Sequence, residues 1–174
     1  MTGSWTRDET GVVVLPTGRI VRGRALRQPL PAGPAPEFAV YLLGSEPQPV
    51  LWPRLWLRWR DFALPADVDA LRAALADAWS RSATQRVEIA CRGGRGRTGT
   101  ALACLAIIDG VPNGDAVDSV RERYARRAVE TPWQQRFVTR FALQVPLRGV
   151  PQVVPATGQD RRRCPIRRLR HEAL

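Results

Sequence analysis

A thiol, a guanidinium and four glycines fall together in Cys91-Arg92-Gly93-Gly94-Arg95-Gly96-Arg97-Thr98-Gly99-Thr100. A thiolate is a strong nucleophile, and a positive local field favours it over the thiol. Arg97 offers a planar fork that grips two phosphate oxygens at once. The glycines let the chain between Cys91 and Arg97 turn its amides inward as an anion nest. Together these residue types, at this spacing, make a phosphate cradle with a nucleophile at its floor.

The elements on either side must hold that cradle. A β-prone run, Val87-Glu88-Ile89-Ala90, leads into Cys91, and an almost wholly apolar stretch at 101–108 reads as a buried helix leading out. A helix N-terminus carries unpaired amides and a partial positive charge, which adds to the pull on an anion. Other glycine loops fit less well. Gly94-x-Gly96-x-x-Gly99 matches a dinucleotide fingerprint, but that motif needs a second strand ending in an acidic residue about 20 positions on. Residues 113–127 read instead as a helix. An ATP-binding loop would place Lys where Arg97 stands. The plainest alternative is a structural glycine turn beside a buried Cys.

With these residues in view, the stretch resembles the signature loop of the cysteine-based protein tyrosine phosphatases, of the tyrosine/dual-specificity, bacterial type. Cys91, Gly94, Gly96, Arg97, Thr98 and Gly99 fall where that family has them. Ala90 replaces the family's usual His before the nucleophile. The resemblance implies that the backbone of Arg92, Gly93, Gly94, Arg95 and Gly96, with the Arg97 guanidinium, binds the substrate phosphate. It also implies that Thr98 donates a hydrogen bond to the Cys91 sulfur, and that neither a metal nor a cofactor is needed.

Two further stretches match in family order. Trp59-Arg60-Asp61-Phe62-Ala63-Leu64-Pro65 resembles the mobile Trp-Pro-Asp loop, with Arg60 in place of its first proline. Asp61, thirty positions before Cys91, would be the general acid. Taken alone, it reads equally as a turn cap. Glu130-Thr131-Pro132-Trp133-Gln134 resembles the family's Gln-Thr-x-x-Gln, whose side chains orient the hydrolytic water, so Gln134 and Glu130 are candidates for that task. Gln134 also completes a capping box with Thr131, ahead of Pro132 at the first helical position.

The remaining pattern supplies a scaffold. Val12-Val13-Val14-Leu15 and Arg19-Ile20-Val21-Arg22-Gly23-Arg24 flank Pro16-Thr17-Gly18 as a hairpin. Residues 38–43 read as a buried strand or a short helix. Residues 55–59 read as a strand apolar on both faces, as in a covered parallel sheet. Residues 67–81 form an amphipathic helix carrying Val68, Leu71, Leu75, Ala78 and Trp79 on one face. It returns the chain to the strand at Val87 in a β–α–β crossover. The helix at 113–127 presents Val117, Val120 and Tyr124. The expected fold is α/β, a central and mostly parallel sheet flanked by helices, with the strand–loop–helix of Cys91 at its centre. The chain divides into a catalytic domain at 1–145, hairpin 10–25 included, and a basic Pro/Arg-rich arm at 146–174.

Composition narrows the function classes. With 174 residues and 44% hydrophobic content the chain can bury a full core. Three Cys far apart make neither a disulfide framework nor a zinc site. A single His, His171, excludes the usual histidine-based hydrolases. Cys104 reads as a core residue, with a protective disulfide to Cys91 as the alternative; Cys164 in the arm reads as inert. The net charge of +11 raises nucleic-acid binding, yet all 27 basic residues are Arg, a bias that genome composition also produces. Residues 144–174 hold seven of them against Asp160 and Glu172, so a specific nucleic-acid partner is not expected. Neither a transmembrane stretch nor an apolar leader is apparent, which points to the cytoplasm. The expected substrate is a phosphorylated protein or an acidic phosphorylated small molecule. Phosphotyrosine leads; phosphoinositide or inositol polyphosphate is the alternative because Arg92 and Arg95 stand at the rim. A pseudophosphatase that only binds phosphate is a further alternative.

Overall fold

The computed structural model describes residues 3–141. The arm at 146–174, with Cys164, lies outside the described residues, as do 142–145. Five strands make one sheet: β1 (Val12–Val14), β2 (Ile20–Ala25), β3 (Phe38–Leu43), β4 (Arg54–Arg58) and β5 (Val87–Cys91). Four helices accompany it: α1 (Val68–Arg81), α2 (Gly96–Ile108), α3 (Ala116–Arg123) and α4 (Pro132–Phe141). The strand order is β1-β2-β5-β3-β4, and only β1 runs antiparallel to its neighbour. The expected α/β fold with a mostly parallel sheet is the one observed.

The hairpin is part of this sheet, since β2 pairs in parallel with β5. Its turn closes through Leu15 N to Arg19 O at 2.8 Å and Gly18 N to Leu15 O at 2.9 Å. β3 settles as a strand beside β5. Phe38, Val40 and Leu42 join the helix-side core, while Ala39 and Tyr41 join a smaller cluster on the other face. With both faces buried there is no polar position to show a period, which is why 38–43 reads equally well as helix or strand.

β4 differs from expectation. It is an edge strand rather than a covered one, paired only through β3, with Leu55 39% exposed. Its apolar residues are used locally instead; Trp56 Nε1 donates to Leu43 O at 3.1 Å. The helix expected at 113–127 is likewise shorter. α3 spans Ala116–Arg123, because Asn113-Gly114-Asp115 turns before it and the chain turns again after Tyr124.

α1 is capped by Asp67, whose Oδ1 accepts from Ala70 N at 2.9 Å, and it buries Leu71, Ala74, Leu75 and Ala78. α2 is buried along almost its whole length, packed on β5 and β2 with α1, α3 and α4 around it. On the opposite sheet face, beside the small apolar cluster, β2 and β5 carry a buried ionic group. Glu88, fully buried, takes four N–H bonds from Arg22 and Arg24 at 2.8–3.1 Å. The Trp5 ring lies over Arg22 with its centroid 3.8 Å from the guanidinium carbon. A buried carboxylate survives only when its lone pairs are matched in this way. Among the described residues no helix is long and apolar enough to cross a membrane.

Candidate active site

Every parallel strand ends at the same edge of the sheet. Cys91 is the last residue of β5, with Ala25 of β2 and Leu42 of β3 as its register neighbours. β2 runs on beside the loop: Leu26 N donates to Cys91 O at 2.9 Å and Arg27 N to Arg92 O at 3.2 Å. The chain then turns through Gly94 at φ +70° and enters α2 at Gly96. A Cβ at Gly94 would stand 2.8 Å from Ala25 N and 2.9 Å from its Cα, so the turn needs glycine for space as well as for its positive φ. Gly94 N donates to Cys91 Sγ at 3.1 Å. The loop therefore folds back over its own sulfur.

Arg97 and Thr98 lie in the first turn of α2, and both are buried. Arg97 Nη1 donates to Trp59 O at 2.9 Å, and its Nη2 pairs with Asp61 Oδ1 at 3.1 Å. Its Nε has no partner. Thr98 Oγ1 is buried and unpartnered as well, so the expected bond from Thr98 to the Cys91 sulfur is not formed. The Gly94 amide occupies that role. Cys91 and Cys104 are both free thiols. Burial pushes the Cys104 thiol far above its ordinary range, as suits a core residue.

Asp61 and Glu130 reach the same cleft from opposite sides. A cleft of about 150 Å3 is lined by Cys91, Asp61, Phe62, Arg95, Gly96 and Glu130, with Arg27 at its border. A methyl group on Gly96 would run into the Glu130 carboxylate, so that carboxylate lies directly over the helix start. Each acidic residue adjoins a residue in the left-handed region, Phe62 at φ 55° and Val129 at φ 59°. Such backbone is held only where its surroundings determine it. Arg121 fixes the second turn, donating to Ala128 O at 3.1 Å and Val129 O at 3.2 Å.

Gln134 is fully buried and forms the capping box: its N donates to Thr131 Oγ1 at 3.2 Å, and its Oε1 accepts from Thr131 N at 3.3 Å. The same Oε1 receives Glu130 N at 3.1 Å, and Nε2 donates to Ala63 O at 3.5 Å. It is thus a cap and a strut under the acid loop. The oxygen that faces the cleft belongs to Glu130.

Residues 60–139 match the family model of PTP-SAK, a Swiss Army Knife protein DSP-PTPase phosphatase domain. This match and the fold are similar to those of the cysteine-based protein tyrosine and dual-specificity phosphatase superfamily. Tk-PTP in its active form is 26% identical with a TM-score of 0.53, over 62% of this chain and 79% of that one. Kinase associated phosphatase, at 19% identity and TM-score 0.50, covers 60% of this chain and 66% of its own, and shares the fold. Two uncharacterized proteins of Methanocaldococcus jannaschii, MJ0215 and MJECL20, are each 36% identical, over 103 and 95 residues. Those alignments take in 58% and 53% of this chain, and this chain spans 62% of either relative.

Several residues around this cleft carry no sequence signal. Tyr124, an apolar-face residue by periodicity, donates its hydroxyl to Gly94 O at 2.6 Å. Trp133 Nε1 donates to Phe62 O at 2.6 Å. Arg24 and Tyr41 flank Ala90 across the sheet, on the face where the family's His would project. A parallel register would have revealed these neighbours, and no local pattern encodes it.

Proposed function

We propose that the domain is a phosphomonoester hydrolase that works through a cysteinyl-phosphate intermediate, of the protein tyrosine or dual-specificity kind. The observation that carries this reading is the buried Arg97, paired with the Asp61 that lines the Cys91 cleft and with its Nε unpartnered. A buried cation with an unmatched donor calls for an anion.

The Cys91 thiolate attacks phosphorus while the bond to the leaving oxygen breaks. Amides of the Arg92–Gly96 turn, the first turn of α2 and Arg97 stabilise the equatorial oxygens. Phosphate and Asp61 compete for the same Arg97 edge. An incoming phosphate takes that edge and sets its own negative charge beside the displaced carboxylate. Asp61, freed from Arg97 and carrying a proton, then gives it to the leaving oxygen. In the second step water attacks phosphorus, Asp61 takes the proton back, the P–S bond breaks and orthophosphate leaves. Glu130, over Gly96, orients that water, and Gln134 supports Glu130 and the acid loop.

Phosphotyrosine protein is the leading substrate, with Phe62, 58% exposed at the cleft, available to cover an aromatic ring. Phosphoinositide or inositol polyphosphate is the second reading, favoured by Arg92 and Arg95, both exposed at the rim. The test is phosphate release from para-nitrophenyl phosphate. Wild type should release it, and Cys91→Ser should not, while still binding vanadate. A wild type that binds vanadate but releases no phosphate is a pseudophosphatase, and the hydrolase reading falls.

A further inference from the structure

A second cleft, of about 270 Å3, opens on the other side of the Cys91 loop. Its walls are the segment after β2 (Arg27, Gln28, Pro29), the loop itself (Gly93, Arg95) and Tyr124. Arg27, Gly93 and Arg95 line this cleft and the catalytic one alike, so the two are adjacent. The shared border is basic. Arg27 and Arg95 there, like Arg92 between Cys91 and Gly93, are exposed, and among the described residues none of the three makes an ion pair or a side-chain hydrogen bond. Arg24, deeper in the same cleft, is already matched to Glu88. Both carboxylates of the site, Asp61 and Glu130, line the catalytic cleft and not this one.

The geometry is built in advance. Arg27 is tied by its own backbone to Arg92, which fixes its place relative to the nucleophile. The floor is held by the Tyr124 hydroxyl on Gly94 O. Pro29 and Pro31 stiffen the outer wall. A Cβ on Gly93 would meet nothing within 4 Å, so the loop leaves open space at that point. Unpaired guanidinium groups on a preformed concave surface attract anions and grip them in forked fashion.

We propose that this cleft is a second anion subsite, in which Arg27 with Arg95 holds an acidic group of the substrate, carboxylate or phosphate, while its phosphomonoester sits over Cys91. The proposal rests on the hydrolase reading for its consequence, and on the cleft alone for binding. It makes the enzyme selective for substrates with two anionic groups. The exposed Phe62 on the opposite side of the catalytic cleft suits the ring of a phosphotyrosine, with an acidic neighbour in the peptide entering the subsite.

The experiment uses the full chain and three probes: para-nitrophenyl phosphate, a pair of phosphotyrosine peptides flanked by Glu or by Gln, and inositol hexakisphosphate. Wild type should prefer the Glu peptide in kcat/KM by roughly three- to tenfold at low salt, and less as salt rises. Arg27→Ala, and separately Gln28→Glu, should abolish most of that preference, and Gln28→Glu, which lines the second cleft and not the catalytic one, should leave para-nitrophenyl phosphate turnover unchanged. If instead these variants relieve only competitive inhibition by the hexakisphosphate, the subsite stands and a second phosphate is its ligand. If neither preference nor inhibition responds while para-nitrophenyl phosphate is turned over normally, the subsite is refuted. Loss of para-nitrophenyl phosphate turnover in Gln28→Glu refutes it too, since the second cleft then serves the catalytic one rather than a separate anion. Should wild type hydrolyse nothing, calorimetric binding of the hexakisphosphate to the same variants decides: weaker binding upholds the subsite and equal binding refutes it.

Discussion

The loop that carries Cys91 and the loop that carries Asp61 meet over one cleft, yet they are held by different means. The first is clamped by backbone. β2 pairs alongside it, α2 begins inside it, and Gly94 packs against Ala25 too closely for any other residue. The second hangs by side chains that reach its carbonyls. Arg97 holds Trp59 O, Trp59 Nε1 holds Ala63 O at 2.9 Å, and Trp133 and Gln134 reach across from α4. Its tip is exposed at Asp61, Phe62 and Leu64. The proposed nucleophile and phosphate site thus belong to the part of the fold held by backbone, where an error in position would be costly. The proposed acid sits on a part held by side chains, as suits a group that would give and retrieve a proton.

The sharpest way to break this contrast is Gly94→Ala. The new Cβ meets the Ala25 backbone, and alanine tolerates φ +70° poorly. The loop must move, the Gly94 amide leaves the sulfur, and kcat/KM should fall on the order of a hundredfold or more for every substrate. Global stability should drop by only about 1–2 kcal/mol, because the strain is local. Kinetics with a good and a poor leaving group, alongside a melt, check both. A loss confined to poor leaving groups would mean that the cradle is the adjustable part.

The acid loop should answer in the opposite way. Asp61→Asn removes the proton donor, so aryl esters of high pKa should slow by roughly 10²–10⁴-fold while good leaving groups change little. Trp133→Phe cuts only the strap to Phe62 O. It should reproduce the same leaving-group pattern in weaker form, several-fold for poor leaving groups, because a loosened acid is misplaced but still present. A uniform loss across the series in Trp133→Phe would show that α4 positions the cradle rather than the acid.

This division also explains what can be read from the chain. The Cys91 loop is legible because its geometry is local: ten consecutive residues contain the thiol, the guanidinium and the glycines that the turn demands. The capping box at Thr131 and Gln134 is legible for the same reason, and it forms as expected. Tyr124, Trp133 and Arg27 are not, since each acts on a partner brought near by sheet register or helix packing. β4 misleads because apolar residues on both faces read as central, whereas an edge strand uses its tryptophan to bond the neighbouring strand's end. Thr98 matches the motif, yet its hydroxyl finds no partner; rotamer and approach are not properties of spacing.

Tyr124 offers the finest test, because it touches the rigid loop at one atom. Its hydroxyl donates to Gly94 O at 2.6 Å beneath the turn. Tyr124→Phe keeps the ring's packing and removes that bond, so stability should fall by about 1 kcal/mol and kcat/KM by a few-fold. The pH dependence separates this bond from packing. Burial, with negative charge at Cys91 and Glu88 added to it, holds the Tyr124 hydroxyl above its ordinary value of 10.0, and Arg95 pulls modestly the other way. In the unfolded chain the phenol ionises near that ordinary value, while the folded protein keeps the proton. The unfolded state then binds fewer protons, so the stabilisation is full below the ordinary value and is lost as pH climbs toward the raised one. Melting temperature should therefore decline over about pH 9 to 11 more steeply in wild type than in Tyr124→Phe. Tyr41, also shifted upward by burial first, remains in both proteins and cancels from the difference. Parallel melting curves would mean that the phenol ionises equally freely in both states and that the bond to Gly94 does not restrain the turn. Converging curves would place a titratable support directly under the amide that faces the nucleophile.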